Sequence, residues 1–155
     1  MSLSNQLANH LHQVIFGGNW TASNLKDQLD DVTFTEATKP LAHFNSILAL
    51  TFHIGYYITA ILGVFKGQAL NAKDKYSFDH PKLNSQKEWE AFKNELFDEA
   101  EQLIALIDKL PEERLNEVFV DEKYGSYQRN IIGLIEHTHY HLGQIAILKK
   151  HIRNS

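Results

Sequence analysis

The stretch PLAHFNSILALTFHIGYYITAILGVF, Pro40 to Phe65, carries no formal charge, and its second half is dense in Ile, Leu, Phe, Tyr and Val. A run this long and apolar is either a membrane span or a helix covered by neighbours on several sides. Asn45, Ser46, Thr51, His53, Gly55 and Thr59 interrupt it, and the segments around it have the amphipathic pattern of helices that pack in water. The stretch therefore reads as the central member of a helix bundle, running on to Gly67.

On its N-terminal side, Leu7, Leu11, Val14 and Ile15 form one stripe of a helix predicted over Leu3 to Phe16, closed by Gly17-Gly18. Asn24 to Asp31 predicts a short helix, and Thr33-Phe34-Thr35-Glu36 has the spacing of a capping box that opens another turn before Pro40. On its C-terminal side, Ser85-Gln86-Lys87-Glu88 is a second capping box. Trp89, Phe92, Leu96, Ala100, Ile104 and Ile107 follow it at helical spacing until Pro111. The last helix starts near Tyr127, carries Ile131, Leu134, Ile135, Leu142, Ile145 and Leu148, and ends in Lys149, Lys150 and Arg153, whose cations suit a helix C-terminus.

No stretch alternates long enough for a strand, so the class is all-α. The connection Gly67 to Asn84 lacks a helical pattern. Extended at ~3.3 Å per residue, it could run the length of a ~39 Å helix. This predicts either a crossover that makes the second and third long helices parallel, or a lid over a site. The expected architecture is a four-helix bundle with a long crossover and short extra helices, folded as one domain over residues 1–155.

The chain has no cysteine, which excludes disulfides, thiolate metal sites and a sulfur nucleophile of its own. A formal net charge of -4 with scattered Lys and Arg is the wrong balance for nucleic acid or an acidic membrane surface. Met1 to Gly18 has no basic leader pattern, so the expected address is the cytoplasm.

His137 and His141 lie one helical turn apart in Glu136-His137-Thr138-His139-Tyr140-His141 and leave the same helix face as Leu134, Ile145 and Leu148. His139 points elsewhere, and His43 lies a helix-end away. Nine histidines produce such a pair readily by chance, and a core or surface pair is the plain alternative. His53 shifts the balance: amid Leu50, Phe52, Ile54 and Tyr57 a lone imidazole would be desolvated without evident partners. All three sit midway along their helices, so they can meet at one level of the bundle and share a divalent ion. Three neutral imidazoles suit zinc, nickel, iron or cobalt and leave positions open for water or substrate. Gln144, one turn beyond His141, is placed to orient a ligand.

At Gly17-Gly18-Asn19-Trp20-Thr21, at Phe52-His53-Ile54-Gly55-Tyr56-Tyr57, at Lys73 to Asp79 and above all at Lys123 to Gln144, the chain resembles the DinB-like metalloprotein superfamily. The last stretch matches a pattern of histidine, three residues, histidine, one residue, then Gly-Gln, met by His137, His141, Gly143 and Gln144. The resemblance implies a four-helix bundle, often a homodimer, with His53 as the third ligand to a divalent metal. Where many members carry arginine, this chain has Leu142, which removes a cation that could meet an anionic substrate. Characterised relatives are similar to metal-dependent S-transferases or isomerases that use a low-molecular-weight thiol such as bacillithiol or mycothiol.

The resulting expectation is an enzyme in which metal and external thiol act together on a small electrophile. The alternatives are a metal-water hydrolase and a non-catalytic, stress-related metal-binding or dimerisation module. Tyr57, Arg129, Asn130 and Trp20 are candidates for the pocket wall, with helix capping or packing as their other role.

Overall fold

A computed structural model describes residues 1–155. Its helices are α1 (Leu3–Phe16), α2 (Leu25–Asp30), α3 (Phe34–Thr38), α4 (Ile47–Phe65), α5 (Gln86–Asp108) and α6 (Tyr127–Arg153). The molecule is all-α, with α1, α4, α5 and α6 as its four long helices. Only two isolated β-bridges occur, Leu41 with Phe44 and Val118 with Ser126.

Caps explain most of the boundaries. Thr33 and Glu36 form the complete reciprocal box expected at α3. At α5 the box is half made. Ser85 accepts from the Glu88 amide at 3.2 Å, but the Glu88 carboxylate reaches past Ser85 to the Asn84 amide at 2.7 Å. The Gly17-Gly18-Asn19-Trp20-Thr21 segment is a turn. Gly17 and Gly18 take φ of 118° and 96°, which a side chain would resist. The Asn19 amide donates to the carbonyls of Gln13 and Ser23 at 2.9 and 2.6 Å, tying the turn shut.

The second long helix is shorter than expected. It starts at Ile47 rather than near Pro40, because Ser46 adopts an extended conformation and its hydroxyl caps the Ala49 amide. Residues 40–46 instead form a turn pinned by the Leu41–Phe44 bridge.

Side-chain registers fix the topology. Phe52 stacks on Phe92, a Cβ on Gly55 would stand 3.2 Å from Leu96, and Thr59 donates to Glu99. Residue numbers rise together on both helices, so α4 and α5 are parallel. Phe65 meets Tyr127, while His53 meets His141, so α4 and α6 are antiparallel. Phe16 meets Phe97 and Asn5 meets Asp108, which makes α1 antiparallel to α5. Parallel α4 and α5 require the connection from Lys66 to Ser85 to travel back along the bundle, as its length implied.

The core is one cluster of 34 buried apolar residues drawn from all four long helices. Burying each Ile or Leu in it contributes ~1.5–3 kcal/mol relative to exposure. α4 is long and apolar enough to cross a membrane, with mean hydropathy 1.8, but 61% of that window is buried inside the bundle. This is the many-sided burial its charge-free sequence anticipates.

Candidate metal centre

His53 comes from α4, and His137 and His141 from α6; the three are the chain's one group of clustered metal-ligating side chains. One candidate ligand atom from each lies within 4.8 Å of the others. The Nε2 atoms of His53 and His137 are 3.0 Å apart. Antiparallel packing of α4 on α6 sets this level, and the i, i+4 spacing puts both α6 rings on the face turned to α4.

Two neighbours orient the rings. The Ser77 carbonyl, in the crossover, can only accept, so His53 Nδ1 donates to it at 3.1 Å and the Nε2 lone pair faces His137. Gln144 Oε1 takes the same part for His141, accepting from Nδ1 at 2.6 Å. Such partners fix the tautomer of a ligating histidine. His137 has none: its Nδ1 is buried without a hydrogen bond.

Neither neutral tautomer of His137 is satisfied by protein groups alone. If Nε2 donates to His53, the Nδ1 lone pair is stranded; if Nδ1 holds the proton, two Nε2 lone pairs face each other at 3.0 Å. A cation between the rings removes that repulsion, and nitrogens bound at ~2.0–2.1 Å to one ion stand about 3 Å apart. The residues fit a divalent metal.

Electrostatics point the same way. Burial, and then the His141 and His53 rings, lower the pKa of His137 to about 4. Burial also lowers His53, partly opposed by the Ser77 carbonyl, and lowers His141. The rings are therefore neutral near pH 7 and present lone pairs without first losing a proton.

The crossover roofs the centre. Phe78 stacks on His53 with ring centroids 4.0 Å apart and planes 8° from parallel. The Tyr57 hydroxyl donates to Asp74 at 2.7 Å, and its ring meets His53 and His137 edge-on. Tyr56 donates to the Lys73 carbonyl and accepts from the Lys73 amide, at 3.0 and 2.8 Å. The segment is thus crossover and lid together. Phe78, Ser77 and Asp74 had no role assigned from sequence, and the Ser77 contact is a backbone one that no side-chain motif announces.

A groove of about 720 Å³ opens beside His137, and Tyr57, Arg129 and Asn130 line it. Asn130 also caps locally, donating to the carbonyls of Tyr124 and Ser126. Trp20 is not part of the site: it is fully exposed at the tip of the glycine turn. Leu142 is not there either, being buried in the core, so its position bears on packing rather than on a substrate. His139 faces away, near enough to His10 to feel its charge, and His43 is exposed.

The family model of the DinB superfamily matches residues 19–145. The chain belongs to the DinB superfamily. That span runs from Asn19 in the glycine turn, through His53 and the crossover, to just beyond Gln144, so it holds all three clustered histidines. No curated protein and no solved structure matches the chain.

Proposed function

We propose that this DinB-superfamily protein is a divalent-metal enzyme that activates a low-molecular-weight thiol toward a small electrophile. The observation that carries this is the convergence of three neutral imidazoles from two helices, one of which opens on a groove. When bound, a divalent ion of the zinc, nickel or iron kind would supply Lewis acidity, lowering the pKa of a thiol presented to it. Ser77 and Gln144 hold two rings in the ligating tautomer. Phe78 and Tyr57 exclude water from one side. Burial and Asp74 raise the Tyr57 pKa, so its phenol remains a proton donor near pH 7.

A chain without cysteine cannot supply sulfur itself, which is why the thiol is external in this reading. One observation favours a metal-water hydrolase as the second reading: Glu136 lines the same groove and is a carboxylate of the kind a general base requires. A non-catalytic metal-binding module would need no groove at all. A soluble, cytoplasmic homodimer is the setting we propose, with oligomeric state read by light scattering.

The test is incubation of metal-loaded protein with a small thiol and an epoxide or alkyl halide, followed by product analysis. Thioether formation that depends on metal is expected. Alcohol or diol without sulfur would replace transfer by hydrolysis, and no product from any pair would leave the binding module.

A further inference from the structure

The groove beside His137 differs in charge from the rest of the molecule. The chain carries a net charge of -4, yet Lys123 and Arg129 both line this groove and Glu136 is its one carboxylate. Arg129 extends along α6 until its guanidinium lies 3.9 Å from Glu136, the residue next to His137. Both partners are about two-thirds exposed, at 69% and 68%, so the contact is worth little and is easily exchanged. The groove also borders the first turns of α6, whose positive end has no acidic residue in its first turn.

The donor set adds to this. Three neutral imidazoles contribute no negative charge, so a divalent ion would keep its full +2. With Lys123 and Arg129 against Glu136 and Asp74, the site as a whole stays positive. Tyr57, Tyr124 and Tyr140 supply the remaining flat walls.

We propose that the groove selects ligands bearing a carboxylate in addition to the atom presented to the metal, with Arg129 and Lys123 receiving that carboxylate. Arg129 exchanges Glu136 for the ligand, and Lys123 closes the outer end. This rests on the thiol reading above and names the class of thiol it takes.

The experiment uses cobalt-loaded protein, whose visible spectrum reports an incoming ligand. It is titrated with 3-mercaptopropionate, 2-mercaptoethanol and cysteamine, with dissociation constants expressed per thiolate. The anionic thiol should bind about five- to tenfold more tightly than the neutral one at low salt, and the cationic thiol most weakly. In a Lys123→Gln/Arg129→Gln variant, both exposed positions, the preference should vanish, with 3-mercaptopropionate losing several-fold more affinity than 2-mercaptoethanol. Glu136→Gln should strengthen the preference. Equal affinity for the three thiols, or a preference that survives the double variant, overturns the proposal and leaves the thiol reading standing. A cobalt spectrum that no thiol alters overturns both.

Discussion

Gln144 is the residue whose role is most specific, because it touches the centre through one hydrogen bond to His141 and nothing else in the site. Gln144→Leu should weaken metal binding about tenfold without altering helix content, since losing such an orienting partner costs 10–100-fold in known centres. Competition against a chelator measures it; unchanged affinity would reduce Gln144 to an ordinary helix residue. At this scale the sequence was informative where side chains do the work. His53, His137, His141 and Gln144 are found together because helical spacing and apolar surroundings are properties of the residues themselves. Trp20 was misplaced for the opposite reason. It lies in a family-like segment, but Asn19 and the two glycines define a turn whose tip points outward, and turn direction depends on φ values that sequence alone does not fix.

Among the elements, the crossover carries the most functional weight. Tyr57→Phe removes the hydrogen bond to Asp74 and should speed amide exchange across residues 73–78 several-fold while the bundle core stays protected. Equal protection in the variant would mean that Phe78 and Tyr56 hold the lid unaided. At the far end of the bundle, Arg153 pairs with Asp31 and Glu36 at 2.7 Å each and binds α6 to the α2–α3 corner. Hydrogen bonds from Arg153 lower both carboxyls to about 2. Folded values below the unfolded ones mean that the stabilisation is present above about pH 4.5 and is lost as pH falls toward 2. Arg153→Met should therefore cost up to about 1 kcal/mol at pH 7, discounted for solvent exposure, and less at pH 3. Urea melts at both values decide it, and an equal deficit at both would contradict the assignment. Helix ends were legible where a cap stands out: α1 and α6 have the bounds their sequences imply. The sequence overestimates the length of α4, because Ser46 lies within a charge-free run and has Ala49 rather than an acidic partner three residues on to mark a capping box.

For the whole molecule, the fold and the centre are coupled, since the rings come from α4 and α6 and the roof from the segment joining α4 to α5. An ion that binds only the folded chain adds RT ln(1 + [L]/Kd), or ~2.7 kcal/mol at a hundredfold excess over Kd. Chelation should lower the melting temperature by several degrees and loosen residues 73–78 before the core. A melting temperature indifferent to chelator and to added zinc or nickel would mean that no ion bridges the helices. The length of the connection offers two readings, a return along the bundle that makes α4 and α5 parallel or a lid over a site. That one segment does both is not legible in the sequence, since the decisive contact is made by the Ser77 backbone carbonyl.

The most direct test is metal analysis of protein purified without a histidine tag, beside His53→Ala and His141→Ala purified identically. Close to one divalent ion per chain is expected in the wild type and background levels in both variants, with helix content unchanged. The same metal content in all three proteins would contradict a site shared by these histidines.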